Sequence, residues 1–473
     1  MMRKLWVILT LTVLLAAATF VAAQSGVPGT GWTTGMQFQN VGDGDAAIRL
    51  RLYTPQGNNI DCGEKFAPPG GSVNYLVESA CALSNTFGGS AVVESNQPLQ
   101  GIVHINNADM GRAAGMYNGT TVDEIAGTLL FPLVKHNHAG RTTTFHIQNA
   151  GAAPINLTAT FRVNGNTYTK QFSNVPAFAM VVVSPADANV PAGNGQVGSL
   201  TITGSGPMAG TSLEHQHTAA VAQNLQASKA FTTADYDDMV YCPLFRNNHT
   251  GSRLTTGAQV QNVSSAAQTV TLTYTPRDGG ATVTRTANVQ PGASATFYAP
   301  LIGIPSGSVG SVTISGQGDI VAVVNDEGVE RGQQRMTTYA CFPAHKATNQ
   351  VMLPLYKEQW YGNMSGIQIQ NVAGDGKSAD IQITYIATNT GKRVTLAPAS
   401  PVAAGGSVTF FGISGRISPP GLKVISGSPE AMANSFGSVV IESNTPIVAI
   451  ANESGFGPNA SDQDSKNYEG LNQ

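Results

Sequence analysis

The chain has 473 residues, too many for one hydrophobic core, and only 11% of them are charged, against about 25% in an average soluble protein. With Gly 53 and Pro 25 spread along it, this composition excludes a charge-rich disordered chain, a coiled coil and collagen. A net charge of −3 supplies no basic excess for phosphates or anionic lipid, so a nucleic-acid partner is not expected.

The chain opens on Met1-Met2-Arg3-Lys4, runs apolar from Leu5 to Val21, and reaches the small residues Ala22-Ala23 ahead of Gln24. That order predicts a secretory signal peptide over 1–23. No later stretch is long and apolar enough to span a bilayer, so an extracellular or cell-surface location is expected. Cys62, Cys81, Cys242 and Cys341 suit an oxidising compartment and lack any C-x-x-C spacing, which argues against zinc ribbons and thioredoxin-like chemistry.

One phrase recurs along the chain: Gly35 to Asn40, Thr144 to Asn149, Gly257 to Asn262 and Gly366 to Asn371, with the Asn positions 109, 113 and 109 residues apart. A second phrase, Gly-Ser followed by apolar alternation, begins at Gly89, Gly198, Gly310 and Gly437. Its last step is longer, which places an insertion near 414–434. Two phrases on one beat predict four copies, at 24–126, 127–236, 237–347 and 348–473. Three Cys pairings are open, and this map favours Cys62–Cys81 and Cys242–Cys341, each inside one copy.

Within a copy, apolar and polar residues alternate and turn words such as Pro69-Gly70-Gly71 and Pro291-Gly292 interrupt the pattern. About seven short strands per copy predict an all-β chain of antiparallel sandwiches. Only 218–238 has the character of a helical turn or two. Met36 and Phe38 are expected to face the core. Gln37/Gln39, His146/Gln148, Gln259/Gln261 and Gln368/Gln370 are then expected to face out, where amides could meet sugar hydroxyls or another subunit.

These tandem phrases, with the junction words Phe131-Pro132-Leu133, Cys242-Pro243-Leu244 and Leu353-Pro354-Leu355, resemble the Ig-like β-sandwich repeats of secreted and surface proteins of filamentous bacteria. The resemblance covers nearly all of the chain after the leader. It implies a rod of sandwiches serving as a stalk, coat or adhesive, and it implies no catalytic residues.

Motifs for catalysis are lacking: the sequence has no G-x-S-x-G, H-E-x-x-H or P-loop. Gly42-Asp43-Gly44-Asp45-Ala46-Ala47 matches G-x-G-x-x-A, but a strand pattern follows where a dinucleotide site needs a helix, so it reads as a turn. Glu94 and Glu442 share one slot in copies 1 and 4 and read as solvent-facing strand residues. His136, His138, His215 and His217 form two H-x-H pairs in copy 2 that could ligate a transition metal, with Glu214 as an oxygen ligand. Asp43-Gly44-Asp45 and Asp462-Gln463-Asp464 are fragments of a calcium loop at most. After the leader only Trp32 and Trp360 remain to build a sugar platform.

The expected function is therefore an extracellular, non-enzymatic structural or adhesive element of a bacterial surface, without cofactor. A glycan- or metal-binding module is the alternative, and a secreted hydrolase comes behind it. Self-association and surface glycans or proteins are the expected partners. Three junction strands serve four copies, so copy 1 is expected to leave a sheet edge open to a strand from another molecule.

Overall fold

A computed structural model describes residues 13–15, 26–83, 87–107, 113–217, 224–250, 253–330, 333–415, 422–455 and 465–472. The chain is all-β, and among the described residues its strands form several antiparallel sheets. Four successive stretches pair their strands in closely related ways.

In the second stretch the order is Asn166–Val175, Ile155–Val163, Val197–Gln216, Ala126–His138, Arg141–Asn149 and Met180–Val183, with Leu225–Lys229 added to Val197–Gln216. The long strand serves two faces. Its first half pairs with 155–163 and 126–138, and its second half with 141–149 and 225–229. The change falls at Ser205-Gly206-Pro207, where the register against 126–138 shifts and Pro offers no N–H to a ladder. The third stretch does the same with Val309–Glu330, and the fourth with Ser435–Gly455. In the first stretch the corresponding strand is broken into Ser90–Ser95 and Leu99–Asn107. Residues 423–426 and 429–432, inside the expected insertion, give an added strand on Arg393–Ala397 and a 3-10 turn.

Both repeated phrases have a structural cause. The Asn side chain at 40, 149, 262 and 371 is buried and donates to at least two backbone carbonyls across a turn, for example Ala266 and Val289 for Asn262, both at 2.8 Å. Its Oδ1 accepts the N–H two residues on, at 2.8 to 3.0 Å in all four places. The Gly of the second phrase lies against a neighbouring strand: a Cβ would stand 1.9 to 2.1 Å from the carbonyl oxygen of Tyr53, Arg162, Thr275 or Ile386. No side chain fits there.

Contacts between stretches close the chain on itself. Strand Ala114–Asn118 touches 225–229, which touches Gln333–Ala340, which touches Ser465–Glu469, which returns to 114–118. The apolar clusters follow the same circuit. Leu213, Leu225 and Ala227 join the first core; Leu130 and Phe231 meet Val321, Val323 and Ala340; Val448 and Ile450 join the third core; Ile102 and Met116 join the fourth. The rod implied by the resemblance is thus replaced by a ring, because each stretch buries apolar side chains against both neighbours and the last finds the first.

The outward orientation expected for the Gln pairs is also corrected. Gln37, Gln39, His146, Gln148, Gln259, Gln261, Gln368 and Gln370 are all buried. Gln148 donates to the carbonyl of Ala91 at 3.4 Å, Gln261 to Thr201 Oγ1 at 3.4 Å, Gln370 to the carbonyl of Val312 at 3.5 Å and Gln37 to the carbonyl of Pro354 at 2.6 Å. Each bond crosses to the adjacent stretch, the last one completing the circuit. Period-2 patterning had placed them opposite the core, and the face opposite the core is where the next stretch packs.

No described helix is long and apolar enough to cross a membrane. Both disulfides pair as the repeat map favours, Cys62 with Cys81 and Cys242 with Cys341, and both are the kind of bond an extracellular compartment sustains. Of the segment 218–238, residues 218–223 lie outside the described residues; beyond them come strand Leu225–Lys229 and a 3-10 turn at Thr233–Asp235.

Candidate functional site: a cleft between the third and fourth stretches

The seams share one construction, and one of them is open. The Ser of the second phrase reaches a turn of the following stretch: Ser199 Oγ donates to the carbonyl of Gly292 at 2.7 Å and Ser311 Oγ to that of Gly405 at 2.6 Å. Ser90 Oγ donates likewise to the carbonyl of Phe178. Directly across the ladder from these serines stand Tyr53, Arg162 and Thr275. Tyr53 stacks on Phe178 with ring centroids 5.0 Å apart, and the Arg162 guanidinium lies over Gly292. Thr275 is short. Opposite Gly405 it leaves space, and a cleft of about 1310 Å³ opens there, lined by both stretches.

Among the described residues, Arg246, Arg277, Arg335, His249 and Asp278 are the ionisable groups lining this cleft. Arg277 Nε bonds Asp278 at 2.9 Å and Arg277 Nη1 donates to Thr409 Oγ1 at 3.2 Å. Arg246 is held by the buried carboxylate of Asp326. Burial, then Arg246 and Arg277, push the His249 ring down to about 4, so it is neutral at ordinary pH. Among the described residues, His249 Nδ1 and Asn452 Oδ1 in the lining are buried atoms without a hydrogen-bond partner. The remaining walls combine Pro276, Pro398 and Pro401 with Phe411 and the hydroxyls of Ser400 and Ser407. Guanidinium groups, neutral donors and proline faces can hold an anionic ligand. Among the described residues, a pair of free carboxylates for glycoside hydrolysis is not part of this lining.

The histidines of the second stretch behave differently from their spacing. Rings of His136 and His217 stack edge to face with centroids 5.3 Å apart, yet His136 Nδ1 bonds the carbonyl of Val190 at 2.7 Å and His217 Nδ1 meets Thr142 Oγ1. His138 Nδ1 accepts from Gly195 N at 3.0 Å, and His215 Nδ1 bonds the carbonyl of Gln216 at 2.8 Å. Asn137 has a left-handed backbone, φ 58°, at a β-bulge, so alternation fails and His136 is buried while His138 is half-exposed. Glu214 is engaged by Lys135 at 2.8 Å. Among the described residues no group of three or more His, Cys, Asp or Glu is arranged to hold a metal ion.

Glu94 pairs with Arg51 at 3.4 Å, and Glu442 is exposed, facing Gln382 and Gln350 across the ladder. Gly42 to Asp45 form a turn followed by strand Ala46–Tyr53. Asp462 and Asp464 lie outside the described residues. Trp32 is in the first core, whereas Trp360 stacks between Tyr361 and Phe436 at centroid distances of 4.9 and 4.8 Å. Sequence reasoning missed the cleft; the signal for it was the short residue at 275 where the second stretch has Arg162.

No protein-family model matches the chain, and no curated protein matches it. Among solved structures, Thermotoga maritima 1070 is similar over 23% of this chain and 94% of its own, at 14% identity and a TM-score of 0.20. The Anabaena sensory rhodopsin transducer is similar over 20% of this chain and 96% of its own, at 19% identity and a TM-score of 0.15. A Ca²⁺-stabilised adhesin with which an Antarctic bacterium binds ice is similar over 95% of both chains, at 12% identity and a TM-score of 0.11. None of these scores bears on the function of this chain.

Proposed function

We propose that the protein is a secreted, non-enzymatic structural or adhesive element of a bacterial surface. On this reading a leader over 1–23 is removed and four Ig-like β-sandwich copies remain, at 24–126, 127–236, 237–347 and 348–473. The observation that favours binding over hydrolysis is the cleft lining, where Asp278 is already tied to Arg277 and, among the described residues, no second carboxylate stands beside it. The two disulfides support the extracellular address.

The test is location and processing. Intact cells making the protein are treated with a membrane-impermeant biotin reagent, and the labelled chain is sequenced from its N-terminus. Surface labelling with a start at Gln24 is expected; an unlabelled cytoplasmic chain with four free thiols contradicts the reading.

A further inference from the structure

Lys135, Glu214 and Asn325 meet where the second stretch packs on the third. Glu214 Oε1 accepts from Lys135 Nζ at 2.8 Å and from Gln226 Nε2 at 3.3 Å, while its Oε2 accepts from Asn325 Nδ2 at 3.1 Å. A primary amine and a carboxamide are thereby held on the two oxygens of one carboxylate. The Asn325 carbonyl oxygen is met in turn by the Thr338 hydroxyl, 2.8 Å away and shared with the Val324 carbonyl at 3.1 Å. Bulk water is kept out, since Glu214 is 4% and Asn325 9% exposed. Beside them lies a cavity of about 20 Å³, lined by Glu214, Asn325, Thr338 and Gln226, which is room for one molecule the size of water or ammonia.

A nucleophile, a proton carrier and a polarised carbonyl are the parts that exchange of an amide needs. Burial works against the Lys135 charge, but Glu214 and Glu327 outweigh it and raise the amine above its ordinary value. Neutral amine is therefore scarce and the reaction slow, yet it has to happen only once in the life of a chain. Glu327 is 47% exposed and 3.4 Å away, so the buried Glu214 is the carboxylate placed to take the proton. The matching acids keep other company. Asp326 meets Arg246, whose guanidinium does not give up its proton, and Glu453 meets Lys357 and Lys466 and, among the described residues, no amide.

We infer that Lys135 and Asn325 join in an isopeptide bond that fastens the second stretch to the third. Lys135 passes one proton to Glu214 Oε1, and a turn of its flexible stem brings Nζ to the about 3–3.5 Å from which it attacks Asn325 Cγ. Thr338 Oγ1 donates to the oxygen as negative charge develops there. Glu214 then gives its proton to Nδ2, and the Cγ–Nδ2 bond breaks with its electron pair going to nitrogen. The second proton of Nζ follows, so ammonium leaves, the new Nζ–Cγ amide is neutral and Glu214 ends as it began. No oxidant, metal or co-reactant is consumed.

Full-length protein is purified, reduced and denatured, and its intact mass and tryptic map are read. The mass is expected to fall short of the sequence by one ammonia, with Lys135 uncut by trypsin and its peptide joined to the one that contains Asn325. Cyclisation of an N-terminal glutamine also releases ammonia, so the joined peptide is the deciding reading. Lys135→Arg keeps the ion pair without the nucleophile, and Glu214→Gln keeps the shape without the proton carrier. Both are expected to give separate peptides and to run more slowly on a reducing denaturing gel, because the loop from 135 to 325 is no longer closed. Glu327→Gln, at an exposed carboxylate, is expected to keep the cross-link. Separate peptides with unmodified Lys135 and Asn325 in the native chain overturn the isopeptide bond, and that map decides even where a variant does not fold. An undiminished yield of the joined peptide in Glu214→Gln overturns the role given to Glu214. None of these readings depends on where the cell places the chain.

Discussion

Lys357 and Glu453 meet at 2.8 Å inside the protein, the cation on strand Thr348–Trp360 and the carboxylate on Ser435–Gly455. The same register pairs Lys135 with Glu214 and Arg246 with Asp326. Each cation's backbone N–H donates to a hydroxyl opposite the acid: Thr143, Thr256 and Ser365. In the first stretch the register puts Ile105 opposite Thr34 instead, and the Thr34 N–H donates to Glu78 at 2.7 Å. The acid is absent from the stretch that has no junction cation in its sequence.

Glu453→Gln should therefore be costly. Burial alone would raise the Glu453 carboxyl, but Lys357 and Lys466 outweigh it and hold it well below the ordinary carboxylate range. Removing the charge takes this carboxylate from the buried Lys466 ammonium and the partly buried Lys357 ammonium, and a loss of about 3–5 kcal/mol is expected by chemical denaturation. Exposed Glu442→Gln should stay within about 0.5 kcal/mol.

Acid should loosen the junctions of the first three stretches. Burial acts to raise the Glu124 carboxyl, but Lys229 and Lys346, from the second and third stretches, pull it down to about 2. Its folded pKa lies below the ordinary 4.5, so its stabilisation is full above that value and is lost as pH falls from about 4.5 towards 2. Melting temperatures across that window should fall more steeply for the native chain than for Glu124→Gln, which has already lost the contribution.

Gly198→Ala should destabilise by about 1–3 kcal/mol, since its Cβ would sit 1.9 Å from the Arg162 carbonyl oxygen and the strands must part. Gly35→Ala is the control, because nothing lies within 4 Å of a Cβ built there. Thermal unfolding of the two variants should differ accordingly.

The two disulfides should differ in weight. Cys242–Cys341 closes 99 residues and Cys62–Cys81 closes 19, so in the chain-entropy account they contribute about 4.7 and about 3 kcal/mol. Paired Cys→Ala replacements, compared by denaturant midpoint, should show the larger loss at 242/341.

Strands, turns and both disulfides were legible because period-2 alternation, turn words and the spacing of two phrases are local signals. Met36 and Phe38 are core residues as their alternation requires. The same alternation could say that Gln148 and Gln261 lie on the other face, but not that this face meets another sheet; that depends on contacts between residues far apart in sequence. His136 and His138 misled for a different reason, since a left-handed Asn137 between them broke the alternation. The cleft was hidden because its walls come from two stretches, and only the strand register shows Thr275 standing where Arg162 stands elsewhere.

The central claim is that the four stretches close into one body through seams built from the repeated Gln and Ser residues. Small-angle X-ray scattering of the full chain tests it most directly. A compact body of this length has a radius of gyration of about 23 Å, whereas four units of about 110 residues laid end to end would give roughly 40 Å. The account predicts the smaller value, independent of concentration; a value near the larger, with the cross-section of one sandwich, would contradict it.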